Sequence, residues 1–146
     1  MELALWFHDA VYDPKAGDNE ERSAALAKRC LGDCGIARPV AEAVDSLILA
    51  TKNHTVRAGA DAAVVVDVDL SILGRDEERF GEYEEQIRRE YAWVPAAVFA
   101  SKRAEILEGF LARDQVFATQ WFRSKYEQQA RRNLEASVRA LRGRSP

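Results

Sequence analysis

The 146-residue sequence is poor in the side chains that most often build metal, redox and disulfide sites. It has two histidines, two cysteines and one methionine. Cys30 and Cys34 are too few for a thiolate zinc site without further ligands, and we expect reduced thiols in a cytoplasmic protein. Any site that uses imidazole must rely on His8 and His54, since the chain has no other histidine.

Other absences exclude whole classes of protein. No apolar run approaches the roughly 18 residues of a membrane span, and the first residues lack the basic region and cleavage site of a signal peptide. The net charge of -3 gives no general attraction to nucleic acid. We therefore expect one globular domain over residues 1–146, with no membrane partner and no nucleic-acid partner.

Apolar residues recur at helical spacing along most of the chain. Val64, Val65 and Val66 favour a strand by propensity, but no second strand-like run exists to pair with them, so we predict a helix there. Spacing also predicts that Val40, Ile106 and Trp121 face the core. The predicted helices cover about residues 2–10, 18–31, 39–51, 62–73, 76–91, 95–111 and 119–142. The sequence thus predicts an all-α bundle of six or seven helices.

The apolar segment over residues 3–13, LALWFHDAVYD, contains a His-Asp pair. Burying the imidazole of His8 and the carboxylate of Asp9 among apolar side chains is unfavourable unless the two are paired or bind a cation. Such dipeptides also occur at helix N-caps, in solvated turns and as paired core histidines. The metal interpretation therefore depends on the surrounding motifs.

Those motifs resemble a known family. Residues 6–13 (WFHDAVYD) and 18–24 (DNEERSA) are similar to segments of the predicted metal-dependent phosphohydrolases of the HD superfamily, in a bacterial branch. The other stretches that carry the likeness are residues 49–54 (LATKNH), 67–74 (DVDLSILG) and, more weakly, 87–91 and 130–134. The resemblance implies an HD-domain-like helical bundle, which is the class that the helical pattern predicts.

The resemblance assigns a divalent metal ion to His8, Asp9 and Asp69, and leaves Asp67 as a helix-surface or supporting residue. Imidazole and carboxylate ligands suit Mn, Fe, Co, Ni, Zn or Mg. The expected reaction is hydrolysis of a phosphoester, a nucleotide among the candidates, with metal-bound hydroxide as the nucleophile. Asp9 and Glu20 are the candidate catalytic residues, although Glu20 equally suits the favourable place of an acid at a helix N-terminus.

A small phosphorylated substrate also needs cationic groups. Lys52 and His54 follow the third predicted helix and are the first candidates. His54 equally suits an exposed loop position. Arg88 and Arg131 are further candidates, although most arginines on charged helices are solvated.

The sequence departs from the family at one ligand. The family's first metal-binding histidine lies on a helix upstream of the His-Asp pair, but only seven residues precede His8 and none is a histidine. We therefore expect a domain that is truncated at its N-terminus or has lost that helix. Its incomplete ligand set would hold metal weakly unless His54, water or another subunit completed it. The loss would uncover Leu3, Trp6 and Phe7, which predicts a homodimer.

Two functions follow from this reading of the sequence. The first is a metal-dependent phosphohydrolase of the HD type. The second is a catalytically deficient HD-like domain that binds a small ligand or a protein partner and holds no firmly bound metal. The sequence leaves both open, and it does not identify the substrate.

Overall fold

The computed structural model describes residues 1–54 and 59–143. In these two ranges the chain forms seven α-helices and a short 3-10 helix, with no strand. The predicted all-α class and the number of helices are confirmed, and the valine-rich stretch is helical. The elements are α1 (Glu2–Phe7), α2 (Asn19–Asp33), α3 (Arg38–Thr51), α4 (Gly59–Asp69), the 3-10 helix (Leu70–Gly74), α5 (Glu77–Glu90), α6 (Ala96–Leu111) and α7 (Gln120–Arg142).

The chain divides into two compact units, one over Met1–Asp69 and the other from Leu70 onward. The first unit contains α1 to α4, and the second contains the 3-10 helix and α5 to α7. The single domain expected from the sequence stays a prediction. Across the described ranges, no helix combines the length and the apolar character that a membrane span requires.

Small side chains form much of the core of the first unit. Ala24 and Ala27 of α2 are buried, as are Val44 and Ile48 of α3. Alanines on a helix surface allow a neighbouring helix to approach closely. Ala4 of α1 is fully buried in the same cluster, and α1 and α4 both contact α3. The shared core therefore brings the C-terminal ends of α1 and α4 into one region.

Three residues that were predicted to face the core are exposed instead. Val40, Ile106 and Trp121 expose 46%, 53% and 58% of their surfaces, so these predictions are wrong. Each residue of an α-helix is rotated by about 100° from the one before it. Ile106 therefore lies well around the helix from its buried neighbour Leu107. Val40 lies at the edge of the face that Ile48 marks, because two steps of four residues rotate it by about 80°.

The second unit is organised around α7, which packs against α6 and the 3-10 helix. The amide of Asn133 on α7 donates hydrogen bonds to the carbonyls of Leu73 and Arg75, both at 2.8 Å. Beside them, Gly74 approaches α7 so closely that an added Cβ would lie 2.5 Å from the Cβ of Tyr126. The packing of the 3-10 helix on α7 thus requires a glycine at this position.

We expect the Gly74→Ala substitution to destabilise the second unit by about 1–3 kcal/mol, because the new methyl group overlaps the side chain and backbone of Tyr126. Gly81→Ala is the matched control, since a Cβ at Gly81 meets nothing within 4 Å. Removing a glycine from inside α5 should raise stability by about 0.5–1 kcal/mol. Chemical denaturation of both variants checks the prediction, and equal stability of the two would contradict it.

Candidate functional site

Four ionisable side chains of the first unit meet near the ends of α1 and α4. The Asp69 carboxylate has Oδ1 at 3.6 Å from His8 Nε2 and Oδ2 at 3.0 Å from His54 Nε2. On its other side, His8 Nε2 lies 3.3 Å from Asp9 Oδ2. The contacts run in the order Asp9, His8, Asp69, His54, and we call these four side chains the histidine–aspartate cluster. It contains every predicted metal ligand and both histidines of the chain.

His8 directly follows α1 and is oriented by it. Its backbone N–H donates to the carbonyl of Ala4 at 2.9 Å, which continues the helical hydrogen bonding. The ring atom Nδ1 lies 2.8 Å from the carbonyl oxygen of Leu5. Because a carbonyl can only accept, Nδ1 carries the proton and donates it. This bond fixes the orientation of the ring and directs Nε2 towards Asp69, as is usual for histidines that bind metals.

His54 reaches the cluster through a tight turn. After α3 ends at Thr51, the backbone N–H of His54 donates to the Thr51 carbonyl at 3.2 Å. His54 has a φ of 47°, in the left-handed region. Residues with a Cβ adopt this conformation at an energetic cost, and such positions are concentrated at functional sites. The turn brings the imidazole to Oδ2 of Asp69 immediately after the helix.

The cluster has strongly shifted protonation equilibria. Contacts with the carboxylates of Asp69 and then Asp9 raise the pKa of His8 from 6.5 to about 10, although burial opposes the shift. Burial by itself would raise the pKa of Asp69, but the hydrogen bond from His54 and the contact with His8 outweigh it and lower the pKa from 3.8 to about 2. Without metal, His8 is therefore an imidazolium at neutral pH and lies between two carboxylates.

The donor atoms of this cluster suit a divalent cation, although they are not already arranged around one. Among the residues described, no group of three or more His, Cys, Asp or Glu side chains meets the spacing of a preformed metal site. The neighbouring donors are nevertheless 3.0 to 3.6 Å apart. Two ligands that each lie about 2.1 Å from an ion are about 3.0–3.4 Å apart at octahedral or tetrahedral angles. A cation would have to replace the proton that now links His8 to the carboxylates.

Lys52 lies beside the acidic start of α2. Its ammonium group donates to the Gly17 carbonyl at 3.0 Å and binds the carboxylate of Glu21. The hydrogen bond to Glu21 raises the pKa of Lys52, and the charges of Glu20 and Asp18 contribute. Lys52, which the sequence analysis predicted to bind a substrate phosphate, thus already binds a carboxylate. Glu20, the predicted catalytic acid, is half-buried in the first turn of α2.

Arg88 and Arg131 lie in the second unit, where both bind backbone carbonyls. The guanidinium of Arg88 donates to the carbonyls of Tyr91 at 2.7 Å and Val94 at 3.2 Å. Arg131 donates to two carbonyls of residues 113–114 at 2.9 and 2.8 Å, and to Glu127 at 2.9 Å. These contacts hold loops of the second unit in place. A substrate-binding role for either arginine stays a prediction.

The structure changes the interpretation of three residues in the first unit. Asp67 is fully buried, so its interpretation as a helix-surface residue is wrong. Residues two apart differ by about 200° around a helix, which is why Asp69 alone of this pair lies in the cluster. The sequence analysis also gave no role to Asn19 and Ser23, which bind the chain just after Asp9. Their spacing of four residues on α2 could have indicated a shared face.

Comparison with protein-family models, with curated proteins and with solved structures found no match to this chain. Membership of the HD superfamily therefore stays a prediction from the motifs. What the cluster can do has to be argued from its own geometry and chemistry.

We expect the metal-free protein to lose stability as the pH rises from 6.5 towards 10, because only the folded state holds the His8 proton over this range. In acid, the contribution of Asp69 is lost as the pH falls from 3.8 towards 2. The cluster therefore stabilises the metal-free protein most between pH 3.8 and 6.5. Denaturant midpoints at pH 6 and pH 9 measure the alkaline loss.

His8→Gln should abolish that alkaline loss, because the variant has no proton to release at this position. Lys28→Gln is the control, since Lys28 is half-exposed and pairs with Asp45 at 3.5 Å in the same unit. The control should keep the pH dependence of the unsubstituted protein. An alkaline loss of the same size in His8→Gln would contradict the assignment to His8.

Proposed function

We propose that the histidine–aspartate cluster holds a divalent cation and that the protein hydrolyses a phosphoester of a small substrate. One observation supports this most strongly. The carboxylate of Asp69 contacts the imidazoles of both His8 and His54, at 3.6 and 3.0 Å. His54 would thus supply a second imidazole to the proposed ligand set, beside that of His8. The sequence analysis had offered His54 first as a substrate-binding residue.

The roles of the residues follow from their exposure and contacts. His8, Asp9, His54 and Asp69 would hold the cation, which, when bound, lowers the pKa of water and polarises a phosphoryl oxygen. Asp9 is the most exposed of the four, with 62% of its side-chain surface accessible. A carboxylate at the solvent boundary can also accept a proton from an attacking water molecule. We keep Glu20, in the first turn of α2, as the second proposed catalytic residue.

Lys52 is the proposed phosphate-binding group of the same unit. Its side chain is one-third exposed, and its charged ammonium group currently binds Glu21. A substrate phosphate would compete with the Glu21 carboxylate for this ammonium group. Free thiols at Cys30 and Cys34 support our further proposal that the protein acts in the cytoplasm.

A second function is supported by the ion pairs within the cluster, which balance the charge of His8 with two carboxylates. The imidazolium of His8 lies 3.3 Å from the carboxylate of Asp9 and 3.6 Å from that of Asp69, so carboxylates of the protein itself balance its charge. In this alternative the cluster is a permanent ion-pair network that fixes α1 on α4. The protein would then be a catalytically deficient domain that binds a small ligand or a protein partner.

Metal binding and hydrolysis distinguish the two functions. The chain is stripped with a chelator, titrated with Mn²⁺ or Co²⁺, and assayed with bis(p-nitrophenyl) phosphate. We expect stoichiometric binding and metal-stimulated hydrolysis. Asp69→Asn should abolish the hydrolysis and weaken metal binding by more than the roughly 10- to 100-fold effect of a residue that only supports a ligand. Asp61→Asn, at an exposed position on the same helix, should change neither.

His54→Gln then separates the two roles considered for His54. A metal ligand lost at this position weakens Mn²⁺ binding, whereas a purely substrate-binding group would raise KM and leave metal affinity unchanged. Failure of the unsubstituted protein to bind Mn²⁺ or Co²⁺ would contradict the first function and favour the second. Equal metal binding by Asp69→Asn and Asp61→Asn would contradict the assigned ligand set.

We also propose a homodimer, which the sequence analysis predicted. Leu3 and Trp6 expose 37% and 74% of their surfaces on α1, and exposed apolar surface of this kind promotes self-association. Trp6→Ser should shift the sedimentation coefficient from dimer to monomer. Trp93→Ser removes a tryptophan that is 55% exposed in the second unit and should leave the dimer intact. A monomeric unsubstituted protein at high concentration would contradict the proposal.

A further inference from the structure

We propose that Asn19 and Ser23 of α2 are positioning residues for the metal site, because they hold the backbone that follows His8 and Asp9. This inference rests on the proposed function, since it concerns residues that keep two proposed ligands in place. It assigns a role to two side chains of the DNEERSA segment that are not themselves ligands.

Ser23 binds both polar backbone groups of Val11. The N–H of Val11 donates to Ser23 Oγ at 3.0 Å, and the same hydroxyl donates to the Val11 carbonyl at 3.2 Å. Ser23 is fully buried. A buried hydroxyl normally needs hydrogen-bond partners, and Ser23 obtains both of them from one residue of the segment after Asp9.

Asn19 binds Asp13 in the same two-way manner. Its Oδ1 accepts the backbone N–H of Asp13 at 2.9 Å, and its Nδ2 donates to the Asp13 carbonyl at 2.9 Å. Asn19 and Ser23 are four residues apart and lie on one face of α2. Two side chains of α2 therefore bind the backbone N–H and carbonyl groups of this segment, as the backbone of a neighbouring strand does in a sheet.

The spacing of the two pairs matches. Four residues of an α-helix advance by about 6 Å, which is within the roughly 6.6 Å that two residues of chain can span. Asn19 and Ser23 can therefore bind Asp13 and Val11 at the same time. Each of the two side chains binds both the N–H and the carbonyl of one residue, which sets the pairing of α2 with this segment.

This clamp matters for the site because it adds to the turn that contains Asp9, in which the Ala10 N–H donates to the Phe7 carbonyl at 3.0 Å. The side chain of Asp9 is 62% exposed, so packing does not set its position. The preceding helix α1 has six residues, and a helix of that length has little stability of its own in water. With the next residues held to α2, the backbone of His8 and Asp9 is constrained from both sides.

The test compares Ser23→Ala and Asn19→Ala with two controls. Val44→Ala removes a buried side chain from the core of the same unit and lowers stability without touching residues 9–13. Ser46→Ala makes the same chemical change at a hydroxyl that binds only the Glu42 carbonyl of its own helix. The dissociation constant of Mn²⁺ is measured by electron paramagnetic resonance, and amide exchange at residues 11 and 13 is measured in the metal-free proteins.

We expect Ser23→Ala to bind Mn²⁺ about 10-fold more weakly, the lower end of the effect of residues that support metal ligands. Its Val11 amide should exchange faster. Asn19→Ala should show the same two changes, with faster exchange at Asp13. Val44→Ala and Ser46→Ala should keep the original Mn²⁺ affinity, which separates positioning from general destabilisation.

Two results would overturn the inference, and they differ in what they imply for the proposed function. If Ser23→Ala and Asn19→Ala exchange their amides faster but bind Mn²⁺ as tightly as Val44→Ala does, the clamp is structural only and the proposed function stands. If the unsubstituted protein and all controls bind no Mn²⁺, the proposed function fails and the inference fails with it. Should Ser23→Ala not fold, Asn19→Ala carries the test, because its bonds to Asp13 are exposed.

Discussion

The first unit depends on the contact between the imidazole of His8 and the carboxylate of Asp69. It joins the end of α1 to the end of α4, which are far apart in sequence. Asp69 is largely withdrawn from water, and a buried carboxylate is unfavourable unless it is paired. His8 and His54 provide that pairing from two directions, which is why the pKa of Asp69 falls rather than rises. Replacing either imidazole would leave part of this charge without compensation.

The same four groups suit two chemical states. With a proton on Nε2 of His8, the cluster is a network of ion pairs that joins the end of α1 to the end of α4. In the function that we propose, a cation would replace that proton, and the same nitrogen and oxygen atoms would form a mixed imidazole and carboxylate ligand set. Metal affinity is then coupled to pH, since the ligands must lose protons before they bind. Under this proposal, one group of atoms would set both the stability of the metal-free protein and its affinity for the cation.

The sequence was sufficient for the fold class and for three of the four residues that the structure brings together in the histidine–aspartate cluster. Helical spacing predicted the all-α class, and the motifs singled out His8, Asp9 and Asp69. It could not show that a turn follows α3 with His54 in the left-handed region, beside the carboxylate of Asp69. That conformation is specified by the surrounding structure rather than by any local preference of histidine strong enough to predict it.

Contacts between side chains and backbone could not be predicted from the sequence either. Asn19 and Ser23 looked like ordinary residues of a helix start, because nothing in a pattern of residue types shows which carbonyls they meet. Arg88 and Arg131 looked like candidate phosphate ligands, and the structure places both on backbone carbonyls of the second unit. Such contacts depend on the path of the loops, which helical periodicity does not predict.

X-ray absorption spectroscopy of the protein loaded with Co²⁺ tests the central claim most directly, because it identifies the atoms bound to the ion. The account predicts one tightly bound cobalt per chain, with scattering from two imidazole rings and from carboxylate oxygens. The imidazole signal should fall by half in His54→Gln. Cobalt bound through oxygen atoms alone, or no cobalt retained after desalting, would contradict it.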